Sequence, residues 1–167
     1  SVHLLIAFLI LSLIFWSYLK IKIKYTITKK INPLIPFIFL LIVFVQISIG
    51  AFVSGMDAGK IYNSWPLMGS TYFPNDNDLI NLLSLSAFSD PSLTQFMHSN
   101  LAYIILCFYI YIFYMIYKNK MFELYKSVNI LGLLIIFQII LGILTILYGA
   151  RIFFASMHQI SSILLVS

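Results

Sequence analysis

The sequence predicts an all-α, polytopic membrane protein with five transmembrane helices, four of them forming a four-helix bundle. Three observations lead there. Of 167 residues, 62% are hydrophobic and only 9% charged, where a soluble domain carries about a quarter charged. The apolar residues fall in long unbroken runs rather than in alternation, and in lipid a helix satisfies its own backbone. The three histidines, His3, His98 and His158, each lie near one end of such a run.

The first segment is expected over Val2 to Leu19. It ends at a basic stretch, Lys20 to Lys30, with five lysines and no acid. The second, Leu34 to Ser54, is entered through Pro33 and Pro36, since proline is tolerated where a helix N–H is unpaired anyway. An acidic loop, Gly55 to Pro91, carries four aspartates and one lysine. The third segment runs from Ser92 to Tyr117, followed by a connection, Lys118 to Lys126, with three lysines and Glu123. The fourth covers Ser127 to Tyr148; a turn with Arg151 leads to the fifth, from Phe153. About fifteen residues remain for it, and a crossing needs ~20. The chain starts at Ser1 and ends within an apolar run, so it is expected to be part of a longer protein.

The net charge of +5 does not indicate nucleic acid, because the lysines cluster at segment ends. Such clusters report orientation. Both lysine-rich connections fall on one side, cytoplasmic or matrix, and the acidic loop then lies outside. On that topology all three histidines sit near the outer face at similar depth. A single cysteine, Cys107, permits no internal disulfide and no cysteine cage, and its mid-segment position reads as small buried packing.

Segments two and four share a pattern, VQISIG with Gln46 and Gly50, and FQIILG with Gln138 and Gly142. SVH at the start is echoed by SMH at 156–158. These echoes suggest duplication of a four-helix unit, with 1–19 as the last helix of a first unit, 20–33 a basic linker and 34–167 the second unit. Ordinary helix packing through Gln and Gly is the competing explanation.

Ionisable side chains inside a membrane are functional hypotheses. Ala7, Ala102 and Ser162 each follow a histidine by four residues, and Ala155 precedes His158 by three. Such positions share a helix face, so each ring has a small neighbour that leaves a slot. Zinc wants four ligands, or three plus water, whereas haem needs only two axial imidazoles. His98 and His158 therefore point to a haem. Gln95, one turn from His98, suits a propionate or a ring nitrogen, and Arg151 suits a propionate through its fork of donors. Trp65, Tyr62, Tyr72 and Phe73 form a lid over the site or anchor at the interface.

The loop sequence GAFVSGMDAGKIYNSWPLMG resembles the stretch between the fifth and sixth helices of the heme A synthase family. QFMHSNLAY is similar to that family's sixth helix, QIILGILTILYGA and ASMHQISSILL to its seventh and eighth, and SVHLLIAF to its fourth. The resemblance implies eight helices in two pseudo-symmetric halves, and oxidation of a haem O methyl group to the formyl group of haem A. It implies that His98 and His158 ligate haem b, and that His3 is one axial ligand to the substrate haem. The other ligand, and a glutamate implicated in catalysis, belong to a helix outside this sequence, so this chain alone is expected to be inactive. Implied partners are haem O, the lipid bilayer, a haem O synthase and further copies of the chain, in a bacterial inner or mitochondrial inner membrane. The family commonly has arginine after the sixth-helix histidine, where this chain has Ser99; if that arginine binds a propionate, either Arg151 or Lys60 replaces it or haem binding is weaker. The alternatives are a membrane b-type electron-transfer cytochrome and a cofactor-free transporter or assembly subunit.

Overall fold

The computed structural model describes residues 2–22 and 31–166, with residues 2, 4 and 5 as backbone only. Most of the expected basic stretch lies outside the described residues. Five α-helices follow in order: α1 (Val2–Lys22), α2 (Leu34–Gly55), α3 (Pro91–Lys118), α4 (Phe122–Leu147) and α5 (Ile152–Val166). No strand occurs among the described residues.

Helices α2, α3 and α4, of 22, 28 and 26 residues, are long and apolar enough to cross a membrane. At ~1.5 Å per residue the shortest spans ~33 Å, against a hydrocarbon core of ~30 Å. Large apolar side chains cover their outer faces: Phe37, Leu41 and Val45 on α2, and Leu133, Ile136 and Ile140 on α4. A bundle apolar outside as well as inside needs lipid rather than water around it. Cys107 lies on this outer surface of α3, a correction to its expected burial. Mid-helix position says nothing of which face a residue occupies.

The helix ends follow local rules. Asp90 caps α3 by accepting from the Leu93 N–H at 2.9 Å, with Pro91 in the first turn. α3 closes with Lys120 in the left-handed region, where Lys120 N donates to Tyr117 O and Met121 N to Ile116 O. α4 ends likewise at Gly149, φ +65°, with Ala150 N donating to Thr145 O. Both are Schellman closures, which satisfy carbonyls the helix leaves open. α4 begins at Phe122, earlier than expected, so Glu123 and Lys126 lie in its first turns rather than in the connection.

α2 packs on α3, α4 on α5, and α3 on α4, with α1 against α2 and α5. A core of Phe39, Val43, Ile105, Ile112, Val128 and Ile135 joins α2, α3 and α4. Tyr109 crosses it and donates to Val128 O at 3.2 Å. The loop 56–90 contains three short 3-10 helices, Ala58–Lys60, Leu79–Leu83 and Leu85–Ser89, and folds back over one end of the bundle.

Candidate functional site

His98 on α3 and His158 on α5 meet inside the bundle. Their ring centres are 6.4 Å apart and their planes stand at 88°. The rings border a cavity of about 470 Å³ between the helices, within the ~300–1,000 Å³ range of ligand pockets. Ala102, Ala155 and Ser162 line it, so the small neighbours expected beside the two rings are where a slot requires them. Ala7 is exposed and outside it.

Each ring is seated by the helix opposite. A Cβ added at Gly50 would stand 2.9 Å from His98 Cε1, and one at Gly142 would stand 3.3 Å from His158 Cε1. The glycine of each echoed pattern is therefore the floor on which a histidine rests. The glutamines complete the pattern. Gln46 Nε2 donates to the His98 carbonyl at 3.0 Å. Gln138 Nε2 donates to Ser161 Oγ at 2.7 Å, and that hydroxyl donates to the His158 carbonyl at 3.2 Å. Within this bundle the Gln–Gly echo relates two helix pairs, α2–α3 and α4–α5. Gln46 and Gln138 are thus site residues, although the sequence alone left them as packing or as traces of duplication.

The loop 56–90 closes one end of the pocket. Trp65 borders the cavity and donates from Nε1 to Tyr103 Oη at 2.8 Å. Gln95 is buried and donates to Tyr62 O at 2.8 Å, while Tyr72 and Phe73 meet Phe96 edge-on. Asn63 Nδ2 donates to Gly59 O and to Ile146 O, both at 3.0 Å, which ties the loop to α4 as well. Asp76 accepts from Ser92 Oγ at 2.6 Å and from Tyr62 Oη at 3.0 Å. The Ser92 bond, aided by Tyr62, holds the Asp76 carboxyl below its ordinary range, while burial and then Asp76 raise the Tyr62 phenol.

The other expected site residues are placed differently. Gln95 borders the cavity. Arg151 is exposed, its guanidinium carbon 6.0 Å from the Tyr148 ring, and it does not line the cavity. Lys60 pairs with Asp57 at 2.8 Å. His3 is exposed on α1, away from the paired rings. Phe8, five residues past His3 on the same helix, is buried and lines the cavity, a contribution from α1 to which the sequence assigned no role.

The residues present fit a haem better than a bare metal ion. Among the described residues no group of three or more His, Cys, Asp or Glu could hold an ion. Two imidazoles alone match the axial demand of a porphyrin-bound iron. An imidazole nitrogen ~2 Å from a metal on each side puts two ring centres roughly 6 Å apart, close to the observed separation. Nδ1 of both histidines is buried with no hydrogen-bond partner, as are Gln46 Oε1 and Gln95 Oε1. Buried polar atoms without partners ask for an explanation, an unfilled ligand site among them. The cavity wall carries one formally charged side chain among its described residues, Asp57.

Fold and site define a helical membrane protein with a histidine-paired pocket inside its bundle. The chain belongs to the COX15-CtaA family of cytochrome oxidase assembly proteins, the heme A synthase family, whose model matches residues 1–167. It is 46% identical over 168 residues to the heme A synthase of Pelagibacter ubique (strain HTCC1062), covering 100% of this chain and 49% of that protein. It is 37% identical over 171 residues to the heme A synthase of Rickettsia bellii (strain OSU 85-389), covering 99% and 50%. To that of Rickettsia prowazekii (strain Madrid E) it is 32% identical over 167 residues, covering 99% and 50%. The chain spans about half the length of the curated relatives it matches. No solved structure matches it.

Proposed function

We propose that this chain is the haem b-holding part of a heme A synthase, which oxidises the methyl group of haem O to the formyl group of haem A. The observation that carries the reading is the convergence of His98 and His158 on one cavity, each ring resting on a glycine. The names of the relatives, heme A synthase, support the making of heme A as the activity.

On this reading His98 and His158 hold the iron of haem b from two sides. A haem so held would supply one-electron transfer. The chain's own residues bind and orient it. Gly50 and Gly142 let the rings stand close to α2 and α4, and Ala102, Ala155 and Ser162 leave the slot. Trp65 and the loop around it exclude water from the outer end. Gln95 and Arg151 are assigned to the propionates; Arg151 reaches them by leaving Tyr148. His3 is assigned to the substrate haem, in a site completed by residues outside this sequence.

All five helices cross the membrane in this reading, with 1–19 closing a first four-helix unit, 20–33 a basic linker and 34–167 the second unit. The histidine pair faces the outer side, in a bacterial inner or mitochondrial inner membrane. Haem O is the substrate, and haem O synthase and further copies of the chain are the partners. The chain by itself is inactive in haem O oxidation.

The test is the visible spectrum of the purified chain in detergent, oxidised and reduced, beside His98→Ala and His158→Ala. A low-spin b-type spectrum lost in both variants supports the reading. A folded wild-type chain that takes up no added haem refutes it.

A further inference from the structure

The two histidines sit on similar glycine floors, yet the glutamines beside them act differently. Gln46 Nε2 donates to the His98 carbonyl at 3.0 Å and lies 3.4 Å from His98 Nε2. A carbonyl oxygen only accepts, so the end of the Gln46 amide that faces it is the NH₂ group. The same NH₂ group therefore meets the imidazole as a donor, at the long end of hydrogen-bond range. A ring nitrogen that accepts bears no proton, so in neutral His98 the proton sits on Nδ1. Nε2 is then left with a lone pair, the form in which an imidazole binds a metal.

On the other helix pair this arrangement is broken. Gln138 is buried, but its amide is taken by Ser161 Oγ at 2.7 Å, and that hydroxyl goes on to the His158 carbonyl rather than to the ring. The His158 ring is seated by shape against Gly142. The sequence echo conceals this difference, because the Gln138 amide is engaged by Ser161 instead of the ring.

We propose that Gln46 is a positioning residue for His98: its amide N–H stands in for the metal at Nε2, holds the ring in the tautomer with that nitrogen free, and yields it on ligation while keeping its bond to the His98 carbonyl. His158 has no such placeholder. The proposal rests on the paired-histidine haem reading above for its purpose, but its central claim concerns the protein without haem.

The experiment uses the whole chain in detergent, labelled with ¹⁵N-histidine and free of haem, followed by titration with haem b. Imidazole nitrogen signals of wild type are expected to assign His98 to the Nδ1–H form. Gln46→Met keeps the side-chain length without the donor, and is expected to turn His98 into a tautomer mixture and weaken haem binding about tenfold. Gln138→Met is expected to leave both tautomers as they are and to alter haem affinity far less. If Gln46→Met folds poorly, Gln46→Leu likewise removes the donor with a different shape, and the same tautomer mixture is expected. An unchanged His98 tautomer in these variants, or an equal loss of affinity in Gln138→Met, overturns the proposal. If wild type binds no haem yet the tautomer follows Gln46, the haem reading fails and the positioning of the ring by Gln46 stands.

Discussion

Gly50→Ala tests whether the histidine pair is held by shape. A methyl group at position 50 would lie 2.9 Å from His98 Cε1. Non-bonded carbons rest at about 3.5–4.0 Å, so the ring or the helix must give way by ~0.6 Å or more. Overpacking of this kind costs about 1–3 kcal/mol. Replacing a mid-helix glycine returns up to about 1 kcal/mol of helix propensity. The fold should therefore survive with a net loss of ~0–3 kcal/mol. The larger consequence falls on the ligand, because a binding constellation tolerates only about 0.5 Å of displacement. Haem affinity is expected to drop about tenfold, ~1.4 kcal/mol. At position 142 the methyl would lie 3.3 Å from His158 Cε1, so Gly142→Ala needs only a few tenths of an ångström and should lose less. The assay is a haem titration of each purified variant followed in the visible band, with a thermal melt to show folding. Wild-type affinity in Gly50→Ala, or a greater loss in Gly142→Ala, would refute the argument from ring seating.

Three further outcomes can be checked independently. A Cβ at Gly132 would lie 2.0 Å from Tyr109 Oη, so Gly132→Ala should destabilise α3–α4 packing by about 1–3 kcal/mol. That lowers the melting temperature by roughly 2–4 °C per kcal/mol, a shift to be read in detergent by circular dichroism. Trp65→Phe removes the bond to Tyr103 and should cost about 0.5–1.5 kcal/mol, with faster haem loss to an external acceptor as the measurement.

The loop contact also has a pH window. Asp76 has a lowered folded pKa, so its contribution is present above ~4, the ordinary carboxylate value, and fades as pH falls through the folded value. Tyr62 has a raised folded pKa, so its contribution is present below ~10 and fades as pH rises through the folded value. Both groups are largely solvated, which keeps the effect small. Trp65 fluorescence in a Trp16→Phe background should stay flat between these limits, and Asp76→Asn should remove the acid arm.

Much was legible before any coordinates. Long apolar runs can only be helices in lipid, and the five expected segments lie within a few residues of the observed ones, with the largest difference at the start of α4. The rarity of ionisable groups in such runs singled out His98 and His158, and helical spacing placed Ala102, Ala155 and Ser162 beside them. All of these follow from one helix considered alone. What needed the tertiary structure is which side chain of one helix meets which of another. Periodicity assigns a face but not a neighbour. Hence Gln46 and Gln138 look equivalent in sequence and differ in the fold, because Ser161 intercepts one of them. Arg151 looked like part of the pocket and sits over Tyr148. Phe8 was assigned no role and lines the cavity, and Cys107 faces outward. Sequence determined that two imidazoles would lie in a helical membrane bundle; the packing of α2 on α3 and α4 on α5 decided how each is held, since distances between helices depend on contacts remote in the chain.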